Sequence, residues 1–267
     1  MTWNLFRNIS MHQVIATLIL LVGLVVFWDS ELFFYGATLF YLCFNIISFW
    51  IHEGWVHGYF VGKIRVINFI LDWLSYLLFQ TSKLNWQFQH RYHHRVWKTE
   101  DDRDQYEVDH TPWPIYLLLL CKVTPPHDIT SMYSEYLEFC QSNIHRLPPE
   151  SQFLEKNYKI LNVLTHLVLF FVVGAQLYFW LVFVPCWLFL RVYKWFNEVL
   201  PHRGYKTKQS EIDRPWLLPI CNNMAYHSMH HKNQSGVIYG PGWLKYITLQ
   251  FWFARIFTHQ TVPTLKV

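Results

Sequence analysis

Charge is scarce in this chain. Asp, Glu, Lys and Arg together make up 15% of its 267 residues, against 52% hydrophobic and 19% aromatic, a balance too apolar for an ordinary water-soluble domain. Its five cysteines (Cys43, Cys121, Cys140, Cys186 and Cys221) form no C-x-x-C pair. That argues against a disulfide framework, a thiolate zinc site or an iron–sulfur cluster, and a reducing compartment is expected. The formal charge is only +4, and no basic cluster is interleaved with stacking aromatics, so nothing points to nucleic-acid binding. Internal repeats and low-complexity linkers are also missing. The pairs Pro125-Pro126 and Pro148-Pro149 only punctuate a central loop, so one domain over residues 1–267 is expected.

What the sequence does have is long uncharged runs. Met11 to Trp28 and Leu32 to Ile51 are 18 and 20 residues long, separated by a short acidic link at Asp29 and Glu31, and each approaches the ~20 residues a helix needs to cross a bilayer. A third run, Ile160 to Leu190, is 31 residues long. As one helix rising about 1.5 Å per residue it would overshoot a ~30 Å hydrocarbon core. Gly174, Ala175 and Gln176 suit a tight turn near its middle, and Pro185 is tolerable as a kink. The expectation is an all-α integral membrane protein with four transmembrane helices in two hairpins, at about 11–28, 32–51, 158–174 and 176–193.

Neither hairpin tip carries any of the 22 Lys and Arg. The positive-inside rule then puts residues 52–157 and 194–267, with both termini, in the cytoplasm. The first run reads as an anchor rather than a cleaved signal peptide, because it lacks a small-residue cleavage site and leads into a second span. Val66 to Gln80, Trp113 to Leu120 and Trp243 to Phe257 are shorter, and they read as helices lying on the membrane or covering a site, forming a cytoplasmic cap.

The 15 histidines are not scattered evenly. "HEGWVH" places His52 and His57 just after the second span. "HRYHH" holds His90, His93 and His94; "HSMHH" holds His227, His230 and His231; and His202 in "LPHRG" follows the fourth span. Every cluster falls on the same side of the expected membrane. Positions i, i+3 and i+4 share a helix face, so each H-x2-H-H group can converge. His52 and His57, five apart, would point about 140° from each other on a regular α-helix, as if serving two different ions.

Imidazole suits zinc, copper, iron and nickel alike, but eight or nine histidines exceed what a single zinc needs. A pair of metals fits the count. The acidic run from Glu100 through Asp101, Asp102, Asp104 and Glu107 to Asp109 offers acceptors for imidazole N–H groups and charge to offset two cations.

H-x4-H, H-x2-H-H and a second H-x2-H-H, set after paired spans, resemble the three histidine boxes of the membrane fatty-acid desaturase and hydroxylase superfamily, over essentially the whole chain. The resemblance implies a non-haem di-iron centre that uses O2 to remove hydrogen from an unactivated C–H bond of a lipid. It implies His52, His57, His90, His93, His94, His227, His230 and His231 as ligands, with His202 as a further one and Asn197 as a candidate that meets iron through water. "TEDDRD" after the second box and "LPHR" resemble carotenoid ketolases, whose opening box is usually H-x3-H, so acyl chain, alkane and polyene substrates all stay open. Desaturation is expected, with hydroxylation or ketolation as the alternative. No His-Pro-Gly-Gly motif of cytochrome b5 is present, so a separate electron donor is expected, of ferredoxin, rubredoxin or cytochrome b5 type.

Other classes fit less well. In "HEGWVH", Val56 stands where the second histidine of a zinc-protease H-E-x-x-H would be. A carboxylate di-iron bundle needs two Glu-x-x-His pairs, and "EVDH" is the only one. A metal transporter or sensor is the remaining rival and would place ionisable groups inside the spans, where His166 alone is expected. His12, His110, His127, His145 and His259 read as ordinary loop or interface residues, and His166 as a hydrogen-bonded core histidine.

Overall fold

The computed structural model describes residues 10–58, 60–96, 102–123, 129–202 and 242–260. These are almost wholly helical. The chain divides into two compact units, one drawn from Met1–Tyr41, Val96–His127 and Asn162–Ser210, the other from Leu42–Arg95, Asp128–Leu161 and Glu211–Val267.

Helix α1 (Met11–Val26) is followed by α2 (Ser30–Phe49), which runs directly into a π-helical segment, Trp50–Val56. The link between α1 and α2 is short because Asp29 caps the second helix: its Oδ1 accepts from the backbone N–H groups of Glu31 and Leu32, both at 3.0 Å, satisfying donors that a helix start leaves open. Helix α3 is Arg65–Phe79, α4 Lys83–Val96, α5 Arg103–His110, α6 Trp113–Leu119 and α7 Ile129–Ile144. The long α8 (Pro149–Val173) starts on a proline, whose missing N–H costs nothing at a first helical position. It stops at Gly174 (φ +83°), a left-handed turn that glycine adopts without strain. The following rod runs from Ala175 through π turns at Phe179–Phe183 and Trp195–Val199 to His202.

Among the described residues, three helices are long and apolar enough to cross a membrane: Ser30–Val56, Pro149–Val173 and Ala175–Lys194. Met11–Val26 is apolar but only 16 residues long. The break between the last two long helices falls at Gly174, and α8 runs back from it to Pro149, so it contains most of the expected span at about 158–174.

In the first unit, α2 meets the Phe179–Phe183 turn closely. A Cβ on Gly36 would lie 2.5 Å from the Trp180 carbonyl, so only glycine fits this approach. Arg191, just past the apolar run, is buried. Its guanidinium donates to Gln13 Oε1 (2.8 Å), Thr17 Oγ1 (3.3 Å) and the Leu118 carbonyl (3.1 Å), which ties α1, α6 and the last long rod together. His166 is half-buried and hydrogen-bonded to the Tyr178 hydroxyl at 2.9 Å, so the expected hydrogen bond is present but the residue is not in the core.

In the second unit, a two-stranded antiparallel sheet joins Phe60–Gly62 (β1) to Thr258–Gln260 (β2), in the register Phe60↔Gln260, Val61↔His259 and Gly62↔Thr258. It is an addition to the all-α expectation, since strands of three residues are too short to show an alternating pattern. The expected C-terminal piece resolves into a 3-10 helix, Gly242–Ile247, and helix α9, Leu249–Phe257.

Candidate metal centre

The first histidine pair owes its geometry to an unusual backbone. From Trp50 to Val56 the chain is π-helical, bonding i→i+5 instead of i→i+4, and the His57 N–H donates to the His52 carbonyl at 3.3 Å. Residues five apart therefore return to one face. The rings of His52 and His57 lie 5.0 Å apart between centroids. This corrects the expectation that they diverge, which assumed a regular α-helix.

The second group sits on α4, where His90 and His94 are one turn apart with their Nε2 atoms separated by 3.0 Å. His90 lies 4.8 Å from His52 and 5.5 Å from His57, and His94 lies 5.3 Å from His57, all between ring centroids. One ligand nitrogen from each of His52, His57 and His90 can be chosen so that all three fall within 4.8 Å of one another. His93, next on the helix, is also buried.

Burial fixes the charge state of these rings. It pushes the basicity of His57 and His90 well below the usual imidazole range, and that of His94 down to about 2. Neighbouring imidazoles lower all three further, and Arg91 adds to the effect at His57. The rings are neutral at physiological pH and present lone pairs, the form in which histidine binds metal. Glu53 is fully buried beside His52 and accepts from its Nδ1 at 3.0 Å, which leaves Nε2 as the ligand atom and stiffens the ring.

The two histidine-bearing elements are tied to each other through main-chain carbonyls. The end of a helix leaves C=O groups in need of donors. Gln87 Nε2 donates to the Trp55 carbonyl, and Arg91 donates to that of Val56 through Nε (3.2 Å) and Nη2 (3.0 Å). At the other end of α4, Glu155 receives the backbone N–H groups of Lys83 (3.0 Å) and Leu84 (3.4 Å), together with the hydroxyls of Tyr76 and Ser82. A carboxylate at a helix N-terminus is favourable both as a cap and against the helix dipole.

His202 and Asp102 are buried in the first unit, where Glu107 of the acidic run is ion-paired to Lys122 at 2.6 Å. Asn197 lies in the π turn Trp195–Val199, five residues before His202, the same spacing as His52 and His57. His227, His230, His231 and Asp101 lie outside the described residues. Sequence reasoning passed over Glu53, Gln87, Arg91, Glu155 and Asp72. Asp72 did carry a signal, as the lone carboxylate in the apolar run Val66 to Gln80.

Three converging imidazole nitrogens, two of them on rings held neutral by burial, suit a transition ion such as iron, copper, nickel or zinc and not a hard cation that needs oxygen. Ligands on one such ion at about 2.1 Å sit roughly 3 to 3.4 Å apart, a spacing close to that of the His90 and His94 nitrogens. The residues present fit a metal. The sequence matches the family model described as fatty acid desaturase over residues 31–235, which takes in all three histidine groups and His202. No curated protein matches it significantly. With most of its length matched and a buried histidine cluster in the described part of the match, the chain belongs to the fatty acid desaturase family.

Proposed function

We propose that this protein removes two hydrogens from adjacent unactivated carbons of a fatty-acyl chain, using O2 at a histidine-held di-iron centre. The observation that carries this reading is the convergence of His52, His57 and His90, with burial holding His57 and His90 neutral. On this reading His93, His94, His202, His227, His230 and His231 complete the ligands. Asn197 meets the metal through water, and Asp101 and Asp102 accept from imidazole N–H groups.

Iron, when bound, supplies the O2 activation and hydrogen abstraction that no side chain can. The protein's own groups do the rest. Burial holds His57, His90 and His94 neutral, Glu53 orients His52, and Gln87 and Arg91 keep the two histidine-bearing elements in register. The overall reaction takes a –CH2–CH2– unit, O2, two electrons and two protons to –CH=CH– and two waters. The electrons come from a separate carrier of ferredoxin, rubredoxin or cytochrome b5 type, and the lipid enters from the bilayer.

The matching topology has four spans with a cytoplasmic cap and both termini in the cytoplasm. Met11–Val26 then forms the first span. At 16 residues and 1.5 Å each it covers about 24 Å, so Trp28 marks the interface and the bilayer thins around it.

Lipid profiling of cells with and without the gene tests this directly. A product lighter by two hydrogens is expected. A product heavier by one oxygen would reassign the protein as a hydroxylase or ketolase, and an unchanged profile from iron-loaded protein would leave only the transporter or sensor reading.

A further inference from the structure

The indoles of Trp50 and Trp55 both donate to a single oxygen, Asp72 Oδ1, at 2.9 and 2.6 Å. The two tryptophans are five residues apart, the same spacing as His52 and His57; the tryptophans and His52 lie in the π segment Trp50–Val56, and His57 caps its end, its N–H bonded to the His52 carbonyl. On an α-helix, side chains five apart point about 140° from each other, so two indoles could not reach one oxygen. In the π register they can.

Asp72 is placed to enforce that choice. It is 1% exposed, near the middle of α3. Its second oxygen accepts from the Ser151 hydroxyl at 2.7 Å and from Lys83 Nζ at 3.4 Å. Lys83 is the first residue of α4, the helix that carries His90, His93 and His94, and its ammonium lies 5.5 Å from the centre of the Trp55 ring. One buried carboxylate is thus bonded to both ends of the π segment, to the start of α4 and to α8. Hydrogen bonds to a carboxylate are roughly twice as strong as neutral ones, whereas the π-helix is a rare form with little stability of its own.

We propose that Asp72 sets the π register of Trp50–Val56 and is therefore a positioning residue for the metal centre. It does not touch the metal. By holding Trp50 and Trp55 on one face, it places His52 and His57 together on another. The inference rests on the histidines binding metal.

The test uses the full-length protein in detergent with Co2+ as the probe, following its visible absorption as metal is titrated and the thermal melt of the metal-free form. Asp72→Leu removes both acceptors and should weaken Co2+ binding roughly 10- to 100-fold, the usual range for partners that orient ligands. Asp72→Asn keeps one oxygen for the two indoles and should bind close to wild type. Trp50→Phe and Trp55→Phe each remove one donor and should weaken binding by a smaller factor. A register swap provides the rescue: Val56→His with His57→Val puts the pair at i, i+4, which share a face only in an α-helix. It should weaken Co2+ binding in the wild-type background and restore it with Asp72→Leu.

If Asp72→Leu fails to melt cooperatively, the two Trp→Phe variants decide. Binding weakened by His52→Ala but unaffected by Asp72→Leu, or by both Trp→Phe changes, overturns the role of Asp72 alone. Failure of the wild type to bind Co2+ overturns the metal reading, and this one with it.

Discussion

Arg91 donates through two nitrogens to the carbonyl of Val56, the residue just before His57. One guanidinium, from the helix that supplies His90 and His94, thereby closes the end of the segment that supplies His52 and His57. Planar, forked donors of this kind are not interchangeable with an ammonium.

Arg91→Ala should therefore leave the Val56 carbonyl short of donors, lowering the stability of the metal-free protein by about 1 to 3 kcal/mol and weakening metal binding. Arg91→Lys restores the charge but not the fork, and should recover only part of the loss. Thermal melts and metal titrations of both variants measure this. Equal behaviour of Ala, Lys and wild type would mean that the contact is incidental.

Iron content distinguishes the clustered histidines from the rest. Purified protein should carry about two irons per chain on the di-iron reading. His52→Ala, His57→Ala, His90→Ala and His202→Ala should each lower that number and reduce turnover together, whereas His145→Ala, at an exposed position, should leave both unchanged. Retention of full iron by His202→Ala or by His202→Gln would confine the ligands to the three boxes.

The metal-free protein should lose stability in acid. His57, His90 and His94 have depressed basicity when folded, while in the unfolded chain they protonate near pH 6.5. Below that pH the unfolded state binds more protons than the folded one, so stability falls as pH falls. The slope approaches about 1.4 kcal/mol per pH unit for each histidine held neutral. Melts of chelator-treated protein between pH 8 and pH 5 should show it. The loss should shrink when His94, the ring held down to about 2, is replaced by Leu.

Membrane sidedness can be read with single cysteines in a cysteine-free background. Ser30→Cys and Ala175→Cys should label from outside the cell, and Gln105→Cys and Lys208→Cys only from the cytoplasm. Labelling of positions 175 and 208 from the same side would contradict the second hairpin and the shared metal site.

Composition and charge placement made the apolar helices legible, and Gly174 marked the turn between the last two because only its backbone freedom suited the position. The i, i+3, i+4 spacing of His90, His93 and His94 was also legible, because α4 is a regular helix and its period is local. His52 and His57 were not legible in the same way. Their relation depends on the π register, which comes from contacts with Asp72, Gln87 and Arg91, at least 16 residues away in sequence and therefore invisible to a helical period. Asp72 and Glu155 were missed for a related reason: each carboxylate works by collecting donors from several segments, which only tertiary structure brings together.

Strand β1 begins three residues after His57, and its partner β2 lies about 200 residues further along the chain. A ribosome adding 5 to 20 residues per second needs roughly 10 to 40 s to cover that interval. Throughout that time the backbone next to the first histidine pair has an open edge, and the third histidine group is made only near its close. The strand pair cannot close before Thr258–Gln260 has been made, so metal loading during biogenesis should follow synthesis of that segment rather than insertion of the second span.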